Sequence, residues 1–218
     1  MFNNFDGVIF DLDGTLIDSM GIWHQIDIDY LGSKGIELPD DLQEKVEGKS
    51  FRETAIYFKE RFKLPETIEE IMDVWNIMSF DMYTTKVVLK PGVINILEFI
   101  KNKGLKTGIA TSNSTHLTKA VLKSMKIDNY FNTVVTGNDV KKGKPDPEIY
   151  LKAADKLDVP PSKCFVFEDI PSGILAGRNA GMTTCAVEDK YSLDLKHKKM
   201  LLADYYTVDF NSFLKEFC

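Results

Sequence analysis

Short apolar runs that end in polar residues alternate with segments of helical periodicity along most of this chain. Val8-Ile9-Phe10 is the first such run, and Asp11 follows it directly. A short, continuous apolar run of this kind is typical of a strand that is buried on both faces. Strands that alternate with helices predict a parallel sheet with helices on both sides. The expected fold class is therefore α/β, with a doubly wound parallel-sheet core.

The alternation resumes after Pro91-Gly92 and predicts the other elements of the core. The predicted strands share a short apolar pattern: 106–110, 133–135, 164–167, 183–187 and 205–208. The predicted helices share a spacing of apolar residues close to 3.6: 93–103, 117–125, 148–157 and 172–180. Gly104 is placed to end the first of these helices, because glycine is favoured just beyond a helix C-terminus.

One long stretch interrupts the alternation. Residues 19–86 carry hardly any strand signal but contain apolar residues at helical spacing, for example Ile22, Ile26 and Tyr30. We therefore expect a small helical cap, residues 18–86, inserted after the first strand. The core would then consist of residues 1–17 and 87–218.

The composition excludes several classes of protein. The 218 residues include 27 Lys and Arg against 33 Asp and Glu, a formal net charge of -6. Because no basic excess could neutralise rows of phosphates, we expect neither a nucleic-acid nor an anionic-membrane partner. No apolar stretch approaches the roughly 20 residues of a membrane helix, and residues 1–6 lack the features of a signal peptide. We expect a cytoplasmic protein and, by default, a monomer.

The cysteines indicate the same compartment. Cys164, Cys185 and Cys218 are an odd set without motif spacing. Without a secretion signal, such a set is typical of reduced thiols in the cytosol. We expect two of the three to be buried.

Polar residues stand directly after the apolar strands. Residues 11–15 (DLDGT) follow the first strand, 111–113 (TSN) the second, and 168–169 (ED) the fourth. The loop after the third strand contains Lys144. Because ligands of open α/β sheets bind outside the carboxyl ends of the strands, we expect these groups to converge on one site.

The charges of these residues predict a cation. Asp11, Asp13, Glu168 and Asp169 could not all stay ionised within a few Å of one another without positive charge nearby. A hard divalent cation, Mg2+ above all, and the ammonium group of Lys144 would supply it. Such a site suits the oxygens of a phosphoryl group. On a regular strand the first two carboxylates would point to the same side, so that one attacks phosphorus and the other handles the leaving-group proton.

Each piece also has a simpler structural interpretation. Residues 13–14 (DG) are a common turn sequence. Residues 111–115 can cap the next helix, and residues 168–169 can cap a helix that begins at Pro171. A site is favoured by the conjunction of polar groups in compatible roles at separate strand ends.

The sequence resembles the haloacid dehalogenase-like superfamily of aspartate-nucleophile phosphohydrolases over essentially the whole chain. Four motifs carry the resemblance, in order: DLDGT at 11–15, TSN at 111–113, GKPDP at 143–147 and FEDIPSGILAGRNAGM at 167–182. The helical insertion directly after the first motif is similar to the beta-phosphoglucomutase-like branch, whose small cap closes over the site. The resemblance implies a Rossmann-like core and phosphoryl transfer with Mg2+.

The resemblance also implies roles for the motif residues. Asp11 would be the nucleophile that forms an aspartyl-phosphate, and Asp13 the general acid and base. Thr111 would bind the transferring phosphoryl group, and Lys144 would steady that group and the nucleophile. True dehalogenases of this superfamily generally lack the second aspartate, so its presence favours phosphoryl transfer.

The remaining ligands follow from the same resemblance. The backbone amides of Ser112 and Asn113 would bind phosphoryl oxygens beside Thr111. The predicted Mg2+ ligands all offer oxygen: Asp11, the backbone carbonyl of Asp13, Glu168 and Asp169. In this superfamily the residue at 169 is usually the direct ligand, and the residue at 168 often acts in support.

The cap residues bear on the choice between a phosphatase and a mutase. The sugar-phosphate mutases that this chain resembles carry an arginine directly after a Gly-x-Ser. Here Gly48-Lys49-Ser50 is followed by Phe51, and Arg52 comes one residue later, which is about 100° around a helix. The same mutases carry a histidine shortly after the first motif, where this chain has Trp23. Both departures weaken the mutase interpretation.

Four cap residues stay candidates for substrate contacts: Trp23, His24, Lys49 and Arg52. Plainer interpretations are open for two of them. Trp23 also suits packing between helices, and Arg52 also suits a surface ion pair with a neighbouring glutamate.

The predicted function is a Mg2+-dependent phosphatase that acts on a small phosphorylated metabolite, such as a sugar or nucleoside phosphate. The alternative is a hexose-phosphate mutase of the beta-phosphoglucomutase type. A non-catalytic phosphate-binding module on the same fold is a third possibility. The presence of Asp11, Asp13 and Lys144 argues against the third.

Overall fold

The structure is a computed structural model that describes residues 2–217. Within these residues the strands form one six-stranded sheet in the order β3-β2-β1-β4-β5-β6, with every neighbouring pair parallel. The strands are β1 Gly7–Phe10, β2 Lys106–Ala110, β3 Thr133–Val135, β4 Cys164–Glu168, β5 Thr183–Val187 and β6 Tyr205–Thr207. The predicted α/β class with a parallel sheet is confirmed.

Ten α-helices connect and cover the strands within the same residues. Four lie between β1 and β2, in the inserted stretch: α1 Met20–Ser33, α2 Leu42–Val46, α3 Phe51–Phe62 and α4 Ile68–Thr85. The others belong to the sheet: α5 Val93–Asn102, α6 Thr115–Ser124, α7 Glu148–Leu157, α8 Pro171–Asn179, α9 Lys196–Leu202 and α10 Phe210–Phe217. The last two helices were not predicted from the sequence, because both are short and follow the final strand signals.

The two faces of the sheet are covered by different helices. In β1, Val8 and Phe10 face a core cluster that α5, α6 and α10 complete. Ile9 points to the opposite face and packs in a second cluster with α7 and α8. Because side chains alternate along a strand, a fully buried strand must be apolar at every position. This requirement explains the unbroken apolar run at the start of the chain.

Residues 20–85, here called the helical segment, have a core of their own. Its buried side chains include Ile26, Tyr30, Phe58 and Trp75, packed together from α1, α3 and α4. Ser50 and Thr67 begin α3 and α4 with reciprocal capping boxes, to Glu53 and Glu70. The inserted helices that the sequence predicted are present.

The chain enters and leaves the helical segment through two adjacent backbone segments outside the named strands. Ile17 and Leu89 form an antiparallel bridge. Asp18 donates its backbone N–H to Val88 O at 3.0 Å. These pairings fix where the helical segment joins the sheet, beside the carboxyl end of β1.

The remaining structural expectations concern cysteines and membranes. Cys164 and Cys185 are buried and free, whereas Cys218 lies outside the described residues. Among residues 2–217, no helix is long and apolar enough to cross a membrane.

Candidate active site

The candidate site lies where three adjacent strands of the sheet end. β2, β1 and β4 are neighbours in the sheet, so the residues after their carboxyl ends lie side by side. Asp11 follows β1, Thr111 follows β2, and Glu168 ends β4. All three are buried. Convergence at this edge is what the parallel topology predicts.

Lys144 connects the two acidic strand ends. Its Nζ donates to Asp11 Oδ1 at 2.6 Å and also to Glu168 Oε1. Tyr150 on α7 donates its hydroxyl to the same Glu168 oxygen at 3.0 Å. The lysine is 5 % exposed and the glutamate 0 %. The ion pairs are therefore shielded from water, and water could not solvate one charge if its partner were removed.

The second oxygen of Glu168 is also bound. Oε2 accepts backbone N–H groups from Asp169 at 2.9 Å and from Ile170 at 3.1 Å. These amides lead into α8, which begins at Pro171. Both amides precede the first residue of α8, and the N-cap residue Ile170 makes no side-chain capping bond. Glu168 therefore orders the turn before the helix, while its other oxygen binds Lys144 and Tyr150.

Three carboxylates form a group that suits a metal ion. Oxygen atoms of Asp11, Glu168 and Asp169 lie within 4.8 Å of one another. Thr15 donates its hydroxyl to Asp169 Oδ1 at 2.9 Å, which orients that carboxylate. Lys144 pairs with two of these three buried carboxylates, and oxygen donors of this kind are the ligands that Mg2+ prefers. The residues present thus fit a hard divalent cation.

Burial and neighbouring carboxylates raise the pKa values of two of these three carboxyl groups. Burial raises the pKa of Asp11 well above its ordinary value, and Glu168 adds to the rise while Lys144 opposes it. Burial, with the charges of Glu168 and Asp189, raises the pKa of Asp169 to about 8. Burial alone would lower the pKa of Lys144, but the two carboxylates beside it outweigh burial and raise it. A bound divalent cation would let both aspartates ionise.

The Asp13 carboxylate has hydrogen-bond partners of its own. It is not part of the three-carboxylate group. It accepts instead from Ser19 Oγ at 2.6 Å and from Asn113 Nδ2 at 3.0 Å. The strand ends at Phe10, so the two-residue spacing from Asp11 no longer follows strand geometry. The three-carboxylate group is thus formed without the Asp13 carboxylate, and the predicted metal contact through the Asp13 backbone carbonyl stays a prediction.

Gly14 makes the turn beyond Asp13 possible. Its φ of +82° is in the left-handed region that favours glycine. A Cβ atom there would lie 2.2 Å from Asp169 Oδ2. The turn interpretation of residues 13–14 is therefore correct, and the same glycine leaves room for the carboxylate of Asp169.

The segment after β2 caps the next helix, as one interpretation of its sequence predicted. Asn113 donates its backbone N–H to Thr111 Oγ1 at 3.2 Å. Ser114 accepts the Leu117 N–H at 3.3 Å and caps α6. The carbonyl of Ser112 accepts the backbone N–H of Phe51, from the helical segment, at 2.9 Å. The roles of residues 111–113 in binding phosphate stay predictions.

The four candidate cap residues have different positions. Trp23 is half-buried, with its ring 6.0 Å from Phe51 and 5.6 Å from Tyr83. His24 is exposed. Lys49 lines a cavity of about 600 Å³ together with Lys144.

Arg52 is engaged elsewhere. Its guanidinium group pairs with Glu69 at 2.8 Å, and both side chains are more than half exposed. This is the surface ion pair that the sequence left open as the plainer interpretation. Trp23, by contrast, packs against Tyr83, whose hydroxyl donates to Asp13.

Sequence reasoning missed three residues of the site. Tyr83 donates its hydroxyl to Asp13 Oδ1, and Ser19 donates to the same oxygen. Glu53 accepts the backbone N–H of Gly143, next to Lys144, at 2.8 Å. Ser50-x-x-Glu53 is a recognisable capping-box signature, but nothing in the sequence links Tyr83 to a residue 70 positions earlier.

Fold and site together define a class of protein: a doubly wound parallel sheet with an inserted helical segment and a buried acidic site at its carboxyl edge. The sequence profile described as haloacid dehalogenase-like hydrolase matches residues 8–187. The chain belongs to this family. The resemblance drawn from its four motifs is thus confirmed.

Individual relatives agree with this assignment. The chain is 33% identical to "Phosphorylated carbohydrates phosphatase" of Thermotoga maritima over 177 residues, 81% of this chain and 82% of that protein. It is 28% identical to "Hexitol phosphatase B" of Escherichia coli K12, covering 82% of each. The crystal structure of beta-phosphoglucomutase from Clostridium difficile superposes with a TM-score of 0.82 at 22% identity, covering 97% of this chain and 96% of that one. At that identity the superposition shows a shared fold.

Proposed function

We propose that this protein is a Mg2+-dependent phosphatase that hydrolyses a small phosphorylated metabolite through an aspartyl-phosphate. The observation that carries the proposal is the buried arrangement of Lys144 between Asp11 and Glu168, with Asp169 in the same group of carboxylates. A cation and an ammonium group around one aspartate can neutralise the charge of a phosphoryl group as it is transferred. The relatives named as phosphatases support the same reaction.

Asp11, Glu168, Asp169 and the backbone carbonyl of Asp13 would hold the ion. When bound, Mg2+ supplies positive charge against the phosphoryl oxygens and the ionised aspartates. Lys144 would supply the second positive charge, because its Nζ already contacts Asp11 Oδ1.

The protein's own residues would act in two steps. In the first, a carboxylate oxygen of Asp11 attacks phosphorus, and the bond from phosphorus to the leaving oxygen breaks. Protonated Asp13 gives its proton to that oxygen. In the second step, a water loses its proton to Asp13 and attacks the aspartyl-phosphate, which frees inorganic phosphate and restores Asp11. Thr111 and Lys144 would bind the phosphoryl oxygens throughout.

We also propose that residues 18–86 act as a cap over a core of residues 1–17 and 87–218. The separate apolar cluster of the helical segment supports this division. So does the paired entry and exit of the chain at residues 17 and 89. Such a cap would admit substrate when open and exclude bulk water when closed.

The substrate class is a sugar or nucleoside phosphate. The relative named as a phosphatase of phosphorylated carbohydrates favours the sugar. The mutase alternative needs a basic grip on a second phosphate, and Arg52 is instead paired with Glu69 on the surface. That ion pair favours the phosphatase.

The test is a phosphate-release screen over phosphorylated metabolites with Mg2+, run in parallel with EDTA. We expect release from one compound class, lost in EDTA and restored by Mg2+. Beta-glucose 1-phosphate belongs in the panel with a coupled assay for glucose 6-phosphate. Isomerisation that outpaces release would replace the phosphatase by the mutase.

The control for the chemistry is Asp11→Asn. Because the amide is not a nucleophile, we expect turnover to fall at least about 10³-fold. The circular dichroism spectrum should stay that of the unmodified protein. Retained turnover in this variant would exclude Asp11 as the nucleophile and with it the aspartyl-phosphate.

A further inference from the structure

The carboxylate of Asp13 is held from three sides. Ser19, next to the start of α1, donates its hydroxyl to Oδ1 at 2.6 Å. Tyr83, near the end of α4, donates to the same oxygen. Asn113, after β2, donates its side-chain amide to Oδ2 at 3.0 Å. The three donors lie in separate parts of the chain, with Ser19 and Asn113 on either side of the helical segment, so their meeting is a product of the tertiary structure.

The direction of the Tyr83 hydroxyl is fixed by its neighbours. Its oxygen accepts the amide N–H of Asn113 at 3.2 Å, so the hydroxyl hydrogen is left to point at Asp13. The ring is fully buried and packs edge-on against Trp23 at 5.6 Å. Burial, with the charge of Asp13, raises the pKa of Tyr83 well above its ordinary value, so the hydroxyl stays a donor.

These contacts treat the two oxygens of Asp13 differently. A carboxylate offers two lone-pair positions on each oxygen. Ser19 and Tyr83 occupy both positions on Oδ1, whereas Oδ2 accepts one hydrogen bond from the described residues, that of Asn113. Oδ2 is therefore the oxygen that keeps a position open toward a reacting group.

We propose that Tyr83 is a positioning residue, which holds Asp13 with Oδ2 free to exchange a proton with the leaving oxygen of the substrate. Tyr83 lies on α4, the last helix of the helical segment. The orientation of Asp13 would therefore depend on where that segment is docked, and the acid would be correctly placed when α4 lies against the sheet. This inference rests on the phosphatase reaction proposed above.

The test compares Tyr83→Phe with Tyr30→Phe on two substrates. Both tyrosines are buried in the helical segment, but the Tyr30 hydroxyl has no hydrogen-bond partner among the described residues, which makes it the matched control. One substrate is an alkyl phosphate from the screen, whose leaving alkoxide needs a proton. The other is p-nitrophenyl phosphate, whose leaving phenolate is weakly basic and needs little protonation.

Because the loss should be confined to proton donation, we expect kcat of Tyr83→Phe on the alkyl phosphate to fall about 10- to 100-fold. On p-nitrophenyl phosphate we expect a fall of less than about 3-fold, and KM should change little on either substrate. Tyr30→Phe should match the unmodified protein on both.

An equal loss on both substrates, or no loss on either, would overturn the role of Tyr83 while leaving the phosphatase in place. An unmodified protein that releases phosphate from neither substrate would instead remove the proposed function, and this inference with it. Should Tyr83→Phe not fold, Ser19→Ala removes the other donor to Oδ1. The same selective loss in that variant supports the anchoring of Oδ1, and an unchanged ratio of the two rates overturns it.

Discussion

At the scale of single residues, Lys144 forms two buried ion pairs. Its ammonium group is the cation that the carboxylates of Asp11 and Glu168 both contact. All three groups are buried. Removing one member of such a set leaves an uncompensated charge in the interior, which is far more costly than losing a surface ion pair.

We therefore expect Lys144→Met to lower the free energy of unfolding in EDTA by about 3 kcal/mol. Added Mg2+ should recover part of this loss, because it neutralises the same carboxylates. Urea unfolding with and without Mg2+ measures both effects. Lys142→Ala is the matched control, since that side chain is exposed two positions away, and it should change stability by less than about 0.5 kcal/mol. Identical unfolding curves for the two variants would contradict the role of Lys144.

At the scale of elements, the start of α3 is joined to the loop that carries Lys144. Oε2 of Glu53 accepts the backbone N–H of Ser50 at 2.8 Å, which closes the capping box of α3. The same oxygen accepts the N–H of Gly143 at 2.8 Å. One carboxylate thus caps the N-terminus of α3 and also holds the helical segment against the loop that carries Lys144.

Gly143 is required for this close approach. A Cβ atom there would lie 2.5 Å from both Ser50 N and Glu53 Oε2. We expect Gly143→Ala to push the loop away from α3, so that kcat for phosphate release falls about 10-fold as Lys144 is displaced. Steady-state kinetics and thermal melting check this prediction.

Gly32→Ala provides the comparison for Gly143→Ala. Gly32 is inside α1, and a Cβ atom there would meet nothing within 4 Å. Alanine should therefore stabilise the helix by up to about 1 kcal/mol without changing kcat. If both glycine variants retained full activity, contact between α3 and the loop would not matter for the reaction.

At the scale of the whole molecule, the buried carboxylates couple stability to pH and to metal. The pKa values of Asp11 and Asp169 are raised above 3.8 in the folded protein, the latter to about 8, and burial is the main cause. Between pH 3.8 and about pH 8, the folded state therefore binds more protons than the unfolded state. Stability of the metal-free protein must therefore fall as pH rises through that window.

We expect the melting temperature in EDTA to fall by several degrees between about pH 5 and pH 8, and Mg2+ to raise it most at pH 8. Thermal melts at three pH values, with EDTA or Mg2+, measure this. Asp169→Asn should flatten the dependence and weaken the response to Mg2+, because the amide neither titrates nor ligates as a carboxylate does. If the melting temperature of this variant matched that of the unmodified protein at every pH, Asp169 would not be the source of the pH dependence.

Local patterns in the sequence were sufficient to predict most of the strands and helices of the core. The strands at 106–110, 133–135 and 183–187 and the helix at 148–157 have the predicted bounds. Each is a continuous apolar run or a clear helical stripe, whose burial is decided by residues close in sequence. The helices α9 and α10 were missed, since seven or eight residues give too short a pattern.

The sequence by itself determined the parallel sheet, the inserted helices, and the strand ends at which Asp11, Thr111 and Glu168 meet. These follow from periodicity and from the parallel arrangement, which brings every carboxyl end to one edge. The tertiary structure alone decided which donors hold the Asp13 carboxylate, and that Tyr83 and Glu53 join the site. Hydrogen bonds between residues 70 to 100 positions apart decide these features, and no local pattern encodes which distant donor a carboxylate will find.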